Sequence, residues 1–129
     1  MTNPQWRKFC SLLDTHNFKE ADVLLSEQPD LISLANDIGE TVLHYLAVEN
    51  NLEAVEWLHK NGADINTRNT FGIPVIFEVA QLEYKELFEW FVQKGADLNL
   101  KTPNGTGIIE HLKEYEKSEM ARLVRQHLG

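Results

Sequence analysis

The sequence predicts an all-α chain, a solenoid of stacked antiparallel helix pairs joined by short hairpin-like loops. Three observations carry that expectation. The chain repeats itself with a period of 33, since laying residues 37–69 over 70–102 gives ten identities without a gap, where composition alone would give about two. Within each period apolar residues recur at helical spacing in two blocks separated by a polar break, the pattern of two helices running back on each other. Single glycines punctuate the turns, at 39, 72 and 105 and again at 62 and 95. A period of this length is the signature of an array of small units, each needing its neighbours to bury its apolar face.

The first unit spans approximately residues 1–36. Phe9, Cys10, Leu12 and Leu13 mark an apolar first helix, and Phe18, Val23 and Leu24 align with Leu52, Trp57 and Leu58 at an offset of 34, one residue different in a turn. The second unit, 37–69, carries Leu43, Leu46 and Ala47 on one helix and, after Glu49-Asn50-Asn51, Leu52, Val55 and Leu58 on the next. The third, 70–102, shares with it Val42/Val75, Ala47/Ala80, Glu53/Glu86, Glu56/Glu89 and Trp57/Trp90. Gly62 and Gly95 stand just past the second helices, where a residue at positive φ commonly ends a helix. In the fourth unit, 103–129, Ala121, Leu123 and Val124 fall under Val55, Trp57 and Leu58. The outer units match less well, as expected where an array meets water. The four are expected to form one domain over 1–129, a length typical of single domains.

These residues resemble the ankyrin repeat. Gly39-Glu40-Thr41-Val42-Leu43-His44 is similar to that family's Gly-x-Thr-Pro-Leu-His with valine in place of proline, and Gly62-Ala63-Asp64-Ile65-Asn66 to its Gly-Ala-Asp-Val-Asn. The third unit departs in the first motif, with Pro74-Val75-Ile76-Phe77, and keeps the second as Gly95-Ala96-Asp97-Leu98-Asn99. The resemblance implies an ankyrin-repeat solenoid that binds a protein partner on its concave face. It also implies that His44 ties the turn between repeats through hydrogen bonds with Thr41.

Composition narrows the function. Hydrophobic residues at 43% and charged residues at 25% fit a folded, soluble chain. Twenty acidic against twelve basic residues leave a net charge of -8, which speaks against a nucleic-acid partner and permits a basic protein one. One cysteine excludes an internal disulfide. The first residues show no secretion signal, and no stretch reaches the roughly 18 apolar residues of a membrane span. A cytoplasmic monomer that binds neither membrane nor nucleic acid is expected.

The residues that invite chemistry have simpler explanations. His16, His44, His59, His111 and His127 show no metal-ligand spacing, and Cys10 lies in an apolar helix as a small hydrophobe. Trp57 and Trp90 suit packing between units, and Glu53, Glu56, Glu86 and Glu89 form the polar stripe of the second helices. No phosphate-binding glycine loop occurs. An open groove offers no water-excluding pocket. The sequence therefore calls for no catalytic residue, cofactor or metal, and an enzyme is the remotest alternative.

By register with the family, the concave positions include Asp37, Ile38, Glu40 and Glu49 in the second unit. Phe71, Ile73 and Leu82 follow in the third, and Asn104 and Tyr115 in the fourth. Ile38, Phe71, Ile73, Leu82 and Tyr115 put apolar groups where an idle face would be polar, and exposed apolar patches mark interfaces. Phe71 and Ile73 have a second reading, in which they fold inward and supply the packing that the altered turn motif no longer provides. Asp37, Glu40, Glu49 and Glu114 would add a negative rim that steers a basic partner. Two functions fit: an interaction module, or alternatively an acidic inhibitor. The latter is similar to ankyrin-type immunity proteins that neutralise a cognate toxin or enzyme.

Overall fold

The computed structural model describes residues 2–128. Among these residues eight α-helices follow one another: α1 (Pro4–Asp14), α2 (Phe18–Glu27), α3 (Val42–Val48), α4 (Leu52–Lys60), α5 (Val75–Gln81), α6 (Lys85–Gln93), α7 (Ile108–Glu114) and α8 (Ser118–Leu128). A 3-10 turn, Pro29–Ile32, follows α2. No strand is present among the described residues, only isolated bridges. Each odd helix pairs with the even helix after it, and α1, α3, α5 and α7 stack into one inner column.

Local chemistry fixes both kinds of turn. Between the helices of a pair, one residue takes a left-handed conformation, at His16, Asn50, Glu83 and Glu116, spaced 34, 33 and 33 apart and none of them glycine. Side chains of Asn3, Asn17, Thr41 and Asn51 cap α1, α2, α3 and α4 by accepting from free backbone N–H groups. Between pairs the chain makes a hairpin closed by the bridges Ala35–Thr41, Arg68–Pro74 and Lys101–Gly107. Inside the first two hairpins an asparagine organises the turn. Asn36 Oδ1 accepts from the N–H of Ile38 and Glu40 at 3.1 and 2.9 Å, and Asn69 Oδ1 from Phe71 and Ile73 at 2.9 and 3.1 Å. Pro74 leaves α5 without the cap that Thr41 gives α3, yet the hairpin closes as the others do.

The core runs the length of the stack. Phe9, Leu13, Leu43, Leu46, Leu58, Phe77, Phe88 and Phe91 are fully buried. Trp6 donates from Nε1 to the Leu34 carbonyl at 3.1 Å. Trp57 stacks on Phe18, centroids 6.0 Å apart, and meets Phe9 edge-on, while Trp90 meets His59 of the preceding pair edge-on at 5.5 Å. Both tryptophans thus serve packing between pairs. Val23, expected beneath Trp57 in the stack, is exposed. Trp57 packs on the pair before it, and among the described residues no pair precedes α2.

Candidate protein-binding face

Two repeating positions project from the inner column and the hairpins. The first is the hairpin tip before each turn glycine: Ile38, Phe71 and Asn104. The second is the C-cap of each inner helix after the first: Glu49, Leu82 and Tyr115. Ile38 is 54% exposed, Phe71 71%, Leu82 41% and Tyr115 51%. Tyr45 also stands exposed, edge-on to Trp6 at 5.7 Å. Phe71 therefore points outward. Ile73, two residues on, turns in and packs half-buried against the core, so the two readings of this turn divide between its residues.

Two adjoining hollows gather most of these side chains. One, about 370 Å³, lies between the second and third hairpins and α7, lined by Phe71, Ile73, Asn104 and Tyr115 with Thr106 and Glu114. The other, about 330 Å³, lies between α3, α5 and α7, with Val48, Ile73, Leu82 and Tyr115 as apolar walls. Its polar groups are Glu78, Gln81 and His111, and Ile73, His111 and Tyr115 belong to both hollows. Asp37 and Ile38 lie away from this pair, toward α1. The Asp37 N–H donates to Thr2 Oγ1 at 3.2 Å, and the same hydroxyl holds the Asp37 carboxyl below its usual range.

Glu40 departs from the expected rim. It is buried, its N–H held by Asn36 Oδ1 and its carboxylate reached by Asn36 Nδ2 at 3.4 Å and His44 Nε2 at 3.8 Å. Asn36 and His44 draw it into the interior. The role implied for His44 changes too. Only its backbone N–H meets Thr41 Oγ1, at 3.3 Å. Its imidazole donates from Nε2 to Glu78 Oε1 at 3.0 Å, in the next helix pair, because a carboxylate can only accept. Asn69 Nδ2 donates to the same oxygen at 3.0 Å. Glu78 was not singled out from the sequence, although a lone carboxylate inside the apolar run Val75–Ala80 was a visible signal.

Glu49 belongs to a separate, larger hollow of about 660 Å³ at the turns between inner and outer helices. Asp14, Glu49, Glu53, Glu83 and Glu86 line it, with His16 and Lys85. His16 Nδ1 lies 3.2 Å from Glu53 and its Nε2 3.0 Å from Asn51 Oδ1.

Stacked helix pairs, hairpins at a 33-residue period and an inner column of short helices define a helical-repeat solenoid. Residues 43–92 match the family model described as ankyrin repeats (many copies), and the helix-pair packing is consistent with an ankyrin-like repeat solenoid. No curated protein matches its sequence. Ankyrin repeats are in general protein-interaction modules. No helix among the described residues is long and apolar enough to cross a membrane.

Proposed function

We propose that the chain is a non-catalytic binding module, a cytoplasmic monomer folded as one domain, that holds a protein partner on the concave face of its C-terminal half. The observation that carries this reading is the exposed set Phe71, Leu82 and Tyr115 around two adjoining hollows that share Ile73 and His111. Aromatic anchors beside pre-formed hollows supply much of the energy of protein association, and an exposed apolar patch is costly unless a partner covers it. Asp37, Ile38, Asn104 and Glu49 would extend the contact toward its edges.

The test is affinity capture from the source organism's lysate with wild type and the double variant Phe71→Glu, Leu82→Glu. Both side chains are exposed, so the variant is expected to unfold within a few degrees of wild type and to lose the retained protein. A folded variant that keeps it removes this face from consideration.

A second reading is an acidic inhibitor or immunity protein acting on a basic toxin or enzyme. The hollow lined by five carboxylates against one lysine favours it, since such a surface steers a cationic cleft into place. Co-expression with the neighbouring gene's product distinguishes the two: relief of toxicity supports the inhibitor, and failure to bind removes that product as a target.

A further inference from the structure

We propose that, on the binding face described above, the hollow between α3, α5 and α7 takes a cationic side chain of the protein partner, lysine or arginine, with Glu78 as its counter-ion. The two hydrogen bonds to Glu78, from His44 Nε2 and Asn69 Nδ2, both end on Oε1. They fix the carboxylate in place, while Oε2 takes no hydrogen bond from any described residue. The side chain is 23% exposed and lines the hollow. It is thus a carboxylate oriented before any partner arrives, at the base of walls made by Val48, Ile73, Leu82 and Tyr115.

The surrounding charge points the same way. Of the residues lining this hollow, Gln81 and His111 are the other polar ones, and His111 donates from Nε2 to Gln81 Oε1 at 2.8 Å. Burial keeps that imidazole below its ordinary range, so it is neutral near pH 7 and leaves Glu78 as the charge of the hollow. A lysine or arginine fits on each count. Its methylene stem lies along Val48 and Leu82, its charge meets an anion in a poorly solvated place, and the ring of Tyr115 offers a π face. An apolar side chain would strip water from Oε2 and replace it with nothing. A carboxylate would be repelled.

A metal ion is the competing cation, because ligand atoms of Glu40, His44 and Glu78 lie within 4.8 Å of one another. His44 argues against it. Coordination through Nε2 would move the ring proton to Nδ1, which is buried and has no partner, whereas a ligating histidine ordinarily donates from its second nitrogen.

The experiment selects binders to the full chain from a phage-displayed library of random twelve-residue peptides. The expected binders carry Lys or Arg at a fixed distance from an apolar residue. Glu78→Gln retains an oxygen for His44 and Asn69, so it should unfold at the wild-type temperature while weakening those peptides about tenfold and flattening their salt dependence. Leu82→Lys, which sets a resident ammonium at the mouth, should block them as well. Peptides that lose affinity for Phe71→Glu but carry no cation, or that bind Glu78→Gln like wild type, overturn the cation site and leave the binding face standing. Peptides indifferent to both variants, or a library that yields no binder, overturn the two together.

Discussion

Cys10 and His111 show how burial sets the chemistry of single side chains here. Burial, and then the charges of Asp14, Glu49 and Glu40, pushes the Cys10 thiol up to about 12, so almost no thiolate exists near neutrality and the sulfur is a packing atom. His111 moves the other way for the same physical reason. Losing water disfavours its charged form and lowers its pKa, against a smaller upward pull from Glu114 and Glu78. The unfolded chain therefore binds a proton at His111 before the folded one does, and stability present above the ordinary histidine value of about 6.5 falls as the pH drops through it. Thermal unfolding followed from pH 7.5 to 5 should show a smaller decline in His111→Gln than in wild type. Equal declines would mean the imidazole titrates alike in both states. Two further buried nitrogens, His44 Nδ1 and Trp90 Nε1, have no partner, which places a small standing cost at the inner column and at the outer layer.

The hairpins are where element geometry is least forgiving. Gly39 has φ +76, and a Cβ there would strike the backbone and side chain of Thr70 in the next hairpin. That hairpin donates the Thr70 N–H to the Ile38 carbonyl at 3.1 Å. Gly62, at φ +97 after α4, has nothing within 4 Å of the same position. Gly62→Ala should thus cost only its backbone strain, about 1 kcal/mol, and Gly39→Ala more than about 2 kcal/mol because strain and collision add. Urea unfolding of the two variants makes the comparison; equal losses would show that the hairpins slide apart freely.

The same elements show what was legible in the sequence. The helices and the 33-residue register could be read from apolar spacing and from Gly62 and Gly95, because both follow from local rules. Glu40 could not. Its place depends on Asn36 in the same turn and on His44 one helical turn further along. Likewise, the concave positions were assigned by register. Register put Phe71, Leu82 and Tyr115 at projecting positions, but the carboxylate beside them, Glu78, was placed by partners 34 and 9 residues away.

Across the whole molecule, cohesion depends on what joins one helix pair to the next. Between the second and third pairs it is polar as well as apolar: His44 to Glu78, Tyr84 Oη donating to the Val48 carbonyl at 2.9 Å, and the Asp97 N–H donating to Asn66 Oδ1 at 2.9 Å. The first pair is held to the second by rings, with Trp57 against Phe9 and Phe18, and by exposed polar contacts at the turns, with Asn51 Nδ2 donating to Asp14 and Asn51 Oδ1 meeting His16. An array whose units contact only their neighbours loosens at its weakest joint. Trp57→Ala should therefore cost about 3 kcal/mol and raise amide hydrogen exchange in α1 and α2 far more than in α5 to α8. A uniform rise would mean the stack opens as one cooperative body. The tryptophans also make the molecule its own spectrometer. Trp6, Trp57 and Trp90 lie one to a pair in α1, α4 and α6, and the fourth pair holds none of the three in the chain. One indole is bonded to a carbonyl, one is half-buried between rings and one is buried with its N–H unmatched, so their emission colours should differ. Replacing any two with phenylalanine leaves a single lamp, and the order in which three such lamps dim would report, by light alone, from which end the array comes undone.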